Sequence, residues 1–226
     1  ASATSASYTP STAAAGTLYY YCVASASCGL PVTSNVSGAV NVASLPSAPA
    51  GTINVSANPS CGIATLSYSA PSANIYWQTA PTNTSTSNNT LTNYPSSATA
   101  GTYTIYVREL SGSCWSPAIS VTFTVVEPVA ITAQPPLNRT ITDGSTTTFT
   151  VSATGTGLSF QWQVNTGSGF NNISLVAPYS AATTGVTTKT NTLTITAATL
   201  AMNGYLYRCI VSGWAPCGPV TSNSGS

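Results

Sequence analysis

The sequence predicts an all-β protein built from β-sandwiches. Short runs rich in Val, Ile, Thr, Tyr and Phe alternate with polar residues, as in 102–107 and 146–151. This period of two is what a strand with one buried face requires. Gly, Pro, Asn and Ser interrupt the runs at short intervals, which is typical of the turns between sandwich strands. The best helical candidate, 197–202, is long enough for a single turn only.

The strand pattern divides the chain into three units. The first unit, 1–46, contains only the C-terminal strands of a domain, and so small a core rarely stands alone. The second unit, 47–127, is complete, and the third, 128–226, ends where its last strand should begin, at Val220. We therefore expect the chain to be a window of a longer tandem array. The predicted strands lie near 52–56, 63–69, 75–79, 102–109, 119–126, 145–153, 159–164, 191–197 and 204–212.

An internal repeat supports this division. Residues 14–37 read AAGTLYYYCVASASCGLPVTSNVS, and residues 201–224 read AMNGYLYRCIVSGWAPCGPVTSNS. A weaker third copy occupies 98–121. Each copy is a tyrosine-rich strand, a short loop with a cysteine and a second strand, so the repeat predicts one β-hairpin in three related domains.

The composition is unusual in its lack of charge. The 226 residues include four Lys+Arg, three Asp+Glu and no His, with a net charge of +1, whereas 71 are Ser or Thr. Nucleic-acid binding needs clustered basic residues, and here they are scattered singly. Histidine chemistry is impossible, and no uninterrupted apolar stretch predicts a membrane span.

The few ionisable side chains do not predict an enzyme or a metal site. Glu109 ends a strand, Glu127 precedes a proline, and Asp143 precedes a turn glycine, so each is best explained as a solvated residue. Lys189 lies in a polar segment, where nothing indicates a buried nucleophile or an isopeptide bond. Calcium clamps between domains need several carboxylates, and the junction supplies one. We expect no catalysis, cofactor or metal.

Several motifs resemble the immunoglobulin-like repeats of very large secreted surface proteins of Bacteroidota. The resemblance is strongest over 128–226, in the segments 161–164 (QWQV), 193–199 (LTITAAT), 202–209 (MNGYLYRC) and 220–223 (VTSN), and the segment 7–22 resembles a sister repeat. It implies tandem immunoglobulin-like sandwiches, export by the type 9 pathway and a role in gliding adhesins or surface fibres.

The immunoglobulin features map onto this sequence in part. Trp162 resembles the core tryptophan of strand C, and Tyr207 lies two residues before Cys209, where a tyrosine corner would be. Strand B carries Phe149 and Val151 in place of the usual cysteine, which excludes the inter-sheet disulfide of this family.

Six cysteines in such a chain predict disulfides and an oxidising compartment. The repeat suggests the pairs Cys22–Cys28 and Cys209–Cys217, each within one hairpin, which leaves Cys61–Cys114 as the third pair. Reduced buried thiols or a metal site are the alternatives, although the spacings lack the CxxC form of zinc sites.

Four tryptophans fall into two classes. Trp77 and Trp162 lie in alternating strand patterns and are expected in the core. Trp115 and Trp214 lie near the loop cysteines of their hairpins, so they could stack on a sugar ring or a partner surface. The favoured interpretation is that they cover the neighbouring disulfide or fill the contact with the next domain.

These observations lead us to expect a non-enzymatic module of a long extracellular cell-surface fibre. Its partners would be neighbouring immunoglobulin-like repeats or filament subunits, with surface glycans as a further option. An uncharged surface lacks protection against sheet association, which fits covering by lateral packing or by O-linked glycans. The alternative is a carbohydrate-binding accessory module of a secreted enzyme, with Trp115 and Trp214 as its platform.

Overall fold

The structure, a computed structural model, describes Ser5, residues 7–95 and residues 99–226. Over these residues it contains β-strands and one 3-10 helix, Leu200–Met202, which is the single turn expected at 197–202. The all-β prediction is confirmed. Residue 98, where the weak repeat copy begins, lies outside the described residues.

The N-terminal part is a ribbon two strands wide, in which four short strands form two antiparallel pairs. Its strands are β1 (Gly16–Leu18), β2 (Val23–Ala24), β3 (Val32–Thr33) and β4 (Val40–Val42). β1 pairs with β4 and β2 pairs with β3, both antiparallel. Large apolar side chains remain exposed on this ribbon, including Tyr21 and Leu30, because no second sheet packs on it among the described residues.

The middle part is a β-sandwich. Its strands are β5 (Ile53–Val55), β6 (Ser60–Cys61), β7 (Thr65–Tyr68), β8 (Ile75–Gln78), β9 (Tyr94–Pro95), β10 (Gly101–Ser111), β11 (Cys114–Trp115) and β12 (Ile119–Val126). One sheet has the order β5-β7-β9, and the other has the order β11-β10-β12-β6 with β8 also on β10. The alternating apolar residues meet between the sheets, where Leu66, Trp77 and Phe123 are buried.

The C-terminal part is a second sandwich. Its strands are β13 (Ala130–Ala133), β14 (Thr147–Thr154), β15 (Ser159–Asn165), β16 (Phe170–Asn172), β17 (Tyr179–Thr184), β18 (Lys189–Ile195), β19 (Leu206–Ser212) and β20 (Val220–Thr221). The sheet orders are β13-β14-β18-β17 and β16-β15-β19-β20. These are the A-B-E-D and C′-C-F-G orders of an immunoglobulin sandwich.

The core of the second sandwich explains how it closes without an inter-sheet disulfide. Phe149 and Val151 of β14 are buried against Trp162 and Cys209, which face each other across β15 and β19. The Trp162 indole donates a 2.6 Å hydrogen bond to Asn191 Oδ1. Close packing and this buried hydrogen bond therefore join the two sheets, and Trp77 and Trp162 are core residues as predicted.

Tyr207 has the position of a tyrosine corner but does not form one. Its hydroxyl is buried and has no hydrogen-bond partner among the residues that the structure describes, whereas a tyrosine corner bonds to nearby backbone. The ring stacks on Phe149 with 5.0 Å between centroids and lies 6.3 Å from the ring of Tyr179. Burial raises the pKa of this phenol far above its ordinary value, so the hydroxyl stays neutral.

The internal repeat recurs as a hydrogen-bonding pattern. In the N-terminal ribbon, Ser34 N donates to Cys22 O (2.8 Å), and Cys22 N donates to Ser34 Oγ (2.9 Å). Ser222 and Cys209 form the same two bonds at 2.8 Å each. Ser116 repeats the pattern with Glu109 in the middle sandwich. Each serine directly follows a two-residue strand, β3, β11 or β20, and bonds it to the preceding strand of its hairpin, so the three sequence copies share a local structure.

Candidate functional site: the junction between the sandwiches

The two sandwiches are joined by three residues, 127–129, between β12 and β13. Thr156, in the turn after β14, hydrogen-bonds to both the backbone N–H and the backbone C=O of Glu127, the first linker residue. Glu127 N donates to Thr156 Oγ1 (2.8 Å), and Thr156 N donates to Glu127 O (3.2 Å). Pro128 fixes its own backbone φ, and Val129 is buried in the core of the second sandwich. The linker is therefore attached to the domain that follows it.

A disulfide bridges the same junction. Cys61 and Cys217 are bonded, with 5.2 Å between their Cα atoms and 156 residues between them in sequence. Cys61 lies beside Val126, at the end of β12, because β6 runs parallel to that strand. The Asn58 side chain fixes β6 there, since it donates to Thr122 O (3.3 Å) and accepts from Thr124 N (3.0 Å).

Cys217 is presented by the loop between β19 and β20. Its N–H donates to Trp214 O (2.9 Å), and Trp214 N donates to Thr156 O (2.9 Å), so the loop is bonded to the turn that holds the linker. Gly157 has φ +67°, and a Cβ there would overlap the Trp214 ring. The glycine therefore lets the indole lie directly on the backbone of this turn.

These contacts make the junction a covalently closed unit. The disulfide joins β6, which pairs with the last strand of the first sandwich, to the loop between β19 and β20 of the second. The covalent path from Cys61 to Cys217 thus bypasses residues 62–216, which include nearly all of both cores. Such an arrangement can fix the angle between the sandwiches and carry tension past them.

The predicted pair Cys61–Cys114 is wrong. Cys61 lies beside the C-terminal end of β12, whereas Cys114 lies in β11, before β12 begins. β12 has eight residues, which at about 3.3 Å per residue separate the two cysteines by more than about 20 Å. A disulfide requires Cα atoms within about 7 Å, so Cys114 has a free thiol and is half-buried.

The predicted pair Cys209–Cys217 is also wrong. Cys209 points into the core opposite Trp162, whereas Cys217 lies beyond the strand ends in the loop. The residue opposite Cys209 in the hairpin is Ser222, which cannot form a disulfide. Burial raises the pKa of the Cys209 thiol to about 12, so this thiol is a packing group and not a nucleophile.

The predicted pair Cys22–Cys28 is absent as well. Both cysteines are exposed free thiols. Cys22 faces Ser34 across the ribbon, and Cys28 lies in the loop between β2 and β3. Cys28 thus has the loop position of Cys217, and in that position the bond of Cys217 reaches a neighbouring domain.

The two loop tryptophans have different surroundings. Trp115 is half-buried in the middle sandwich, edge-on to Tyr76 with 5.6 Å between centroids, and the Arg108 guanidinium lies 5.5 Å from its ring. Trp214 lies at the junction, and 63% of its surface is exposed. Of these two tryptophans, Trp214 therefore offers the larger exposed aromatic surface, on the side of the ring that does not lie on the Gly157 turn.

The remaining candidate residues do not converge. Glu109 lies in β10, Glu127 in the linker, and Asp143 accepts a hydrogen bond from Leu200 N (2.8 Å). Lys189 is the first residue of β18. Across the described part of the chain, no group of three or more His, Cys, Asp or Glu side chains could hold a metal ion. None of the helical structure described is long and apolar enough to cross a membrane.

Sequence reasoning missed Thr156, Gly157 and the pairing of Cys217. The segment 154–157 reads TGTG, which predicts a turn but not the partner of that turn. One signal was available: each repeat copy places a cysteine in its hairpin loop, where a bond to another domain is as accessible as a bond within the hairpin.

Comparison with known proteins gives likenesses of fold only. No family model matches the chain, and no curated protein matches it. Among solved structures, a three-domain titin fragment is 15% identical over 93% of this chain and 73% of its own length, with a TM-score of 0.46. Another titin I-band fragment covers 78% of this chain and has a TM-score of 0.45. The four-domain Sidekick-1 fragment is 16% identical over 96% of this chain, with a TM-score of 0.45.

This chain spans 64% of the second titin fragment and 58% of the Sidekick-1 fragment. These similarities are too low to carry a functional argument. The strand orders within the sheets carry the assignment instead: the chain contains tandem immunoglobulin-like β-sandwiches.

Proposed function

We propose that this chain is a non-catalytic structural and adhesive segment of a long extracellular cell-surface fibre built from tandem immunoglobulin-like domains. The observation that carries the proposal is the Cys61–Cys217 disulfide between consecutive sandwiches. Such a bond needs an oxidising compartment to persist. A disulfide between domains is useful where the relative orientation of the domains, or the extension of the chain under tension, must be limited.

The linker geometry supports the same role. Inter-domain contacts usually permit relative motion unless they are extensive. Here Thr156 bonds the linker twice, and a disulfide crosses it. A spacer that holds binding elements away from a cell would benefit from this stiffness.

The motifs at 161–164, 193–199, 202–209 and 220–223 support an origin in the type 9 secreted, gliding-adhesin-like surface proteins of Bacteroidota. We propose, with them, that residues 1–46 contribute the C-terminal strands of one domain, and that 47–127 and 128–226 are two further domains. The exposed apolar side chains of the ribbon support this division, because a covering sheet would bury them. Glycans on the many Ser and Thr residues would cover the uncharged surface.

Imaging of native cells tests the proposal. Gold-labelled antibodies against the second sandwich should mark thin fibres that extend from the cell surface, with labels at regular spacing along each fibre. Labels confined to the cytoplasm, or on a compact secreted enzyme, would contradict it.

The alternative, a carbohydrate-binding accessory module, is favoured by the exposed face of Trp214. A glycan array would test it with Trp214→Ala and with Trp115→Ala as the control, because the control removes an indole that already packs on Tyr76. Binding that is lost only in Trp214→Ala would support this alternative, and the absence of binding by the unmodified protein would exclude it.

A further inference from the structure

One edge strand of the second sandwich, β17, is long, and its outer edge is unpaired in the described part of the chain. β17 has six residues and pairs with β18 alone among the described strands. Every other strand at a sheet edge in the described ranges has two to four residues. A strand at an edge presents unpaired backbone N–H and C=O groups that can pair with another strand.

β17 lacks the features that normally block such pairing. It contains no charged residue, no proline and no register shift. By contrast, β13, at the opposite edge of the same sheet, has a register shift between Ile131 and Ala133. Ser180, Ala182 and Thr184 are exposed and small, so no bulky side chain keeps another strand away.

On β14, β18 and β17 the outer face of this sheet forms an array of nine uncharged residues, of which eight carry a hydroxyl group and the ninth is Ala182. The register places Thr148, Thr194 and Ser180 in one row across the strands, Thr150, Thr192 and Ala182 in the next, and Ser152, Thr190 and Thr184 in the third. Within the array, Ser152 Oγ and Thr190 Oγ1 are 2.8 Å apart and hydrogen-bonded. The rows end at β17, where no further strand of the described ranges continues them.

We propose that β17 pairs antiparallel with β17 of a second copy of this chain, about a two-fold axis through Ala182. This register places Ala182 opposite Ala182 and Ser180 opposite Thr184 of the partner. Directly opposed residues in an antiparallel pair share a face, so the hydroxyl array continues across the axis. The two four-stranded sheets become one sheet of eight strands.

A second copy is the occupant because the strand is complementary to itself. Two identical strands can satisfy each other's backbone N–H and C=O groups when they pair antiparallel. A two-fold interface likewise uses the same surface patch on both copies. The Ser180–Thr184 pair would repeat the Ser–Thr hydrogen bond already present inside the sheet. With a net charge of +1, two copies repel each other little. This pairing would be the lateral contact of the fibre, and in that sense it rests on the proposed function.

Sedimentation equilibrium of the full chain tests the inference. Cys22, Cys28 and Cys114 are first replaced by Ser to prevent adventitious cross-links, and the Cys61–Cys217 bond is kept. The weight-average mass should rise from 22.8 kDa towards twice that value as the concentration approaches about 1 mM, the weak end of specific association.

Two matched variants locate the contact. Ala182→Lys places two like charges opposite each other across the axis, so the dissociation constant should rise at least about ten-fold. Thr192→Lys places the same charge on the same face one strand inward, and dimerisation should persist. Ala182→Cys should give a disulfide-linked dimer on oxidation, and Thr192→Cys should not.

A chain that remains monomeric throughout overturns the inference, as does equal weakening by Ala182→Lys and Thr192→Lys, which would indicate face-to-face stacking. Either result, obtained with Cys61–Cys217 intact, leaves the proposed fibre role standing. Native-cell imaging without fibres would reject that role whatever the oligomeric state.

Discussion

The disulfide across the junction should set how far this chain can be stretched. With the bond intact, tension applied at the two ends passes from Cys61 directly to Cys217, and the residues between them carry none. Reduction adds this segment to the extensible path. The separation of 156 residues, at about 3.4 Å per residue, corresponds to about 530 Å of additional contour length. The folded Cα–Cα distance of 5.2 Å subtracts almost nothing.

Single-molecule force spectroscopy measures this length. The chain is pulled by tags at both termini in oxidising buffer, then in reducing buffer, and the Cys217→Ser variant is pulled in both. We expect the extra length of about 530 Å only in reducing buffer for the unmodified chain, and in both buffers for Cys217→Ser. Cys114→Ser is the control, since its thiol is free, and it should behave like the unmodified chain. Equal total extension in the two buffers would refute the reasoning.

Three further predictions concern stability. Gly157→Ala should cost about 1–3 kcal/mol more than Gly144→Ala in urea unfolding, because both glycines have positive φ but only the first would overlap an indole ring; equal losses would contradict this packing. Asn191→Ala should cost about 1–3 kcal/mol, since it leaves the Trp162 indole N–H unpaired in the core; a loss below about 0.5 kcal/mol, which is typical of surface sites, would contradict the buried hydrogen bond. Burial raises the pKa of Cys209 from 9.0 to about 12 in the folded chain. Above pH 9 the unfolded state therefore loses this proton first, and the free energy of unfolding falls as the pH rises to about 12. Cys209→Ala should flatten that decline, and an unchanged slope would contradict the burial of the thiol.

Strands with strong alternation could be predicted from the sequence. Every second side chain is buried along β14 and from Tyr207 to Val211 in β19. β10 and β12 show the same alternation at Ile105 and Val107 and at Phe123 and Val125. Most of these residues alternate with polar ones in the sequence, so the pattern is visible without tertiary information. β17 could not be found in this way because its sequence, YSAATT, has no apolar alternation. It is a strand because β18 supplies backbone partners, which is a tertiary effect.

The candidate site was predicted less well, for a related reason. Sequence spacing ranks cysteine pairs by their distance along the chain, and that ranking favours Cys217 with Cys209. The true partner, Cys61, is close only because β6 lies parallel to the final strand of one sandwich while the linker turns the next sandwich towards it. Contacts between domains depend on that geometry, which no local pattern encodes.

Peptide mapping of the native protein without reduction tests the central claim most directly. Free thiols are first alkylated, the chain is digested, and linked peptides are identified by mass spectrometry. Our account predicts one linked pair that contains Cys61 and Cys217, with the Cys209 thiol unmodified until the chain unfolds. A linkage of Cys217 to Cys209, or alkylation of Cys61 and Cys217 in the native protein, would contradict it.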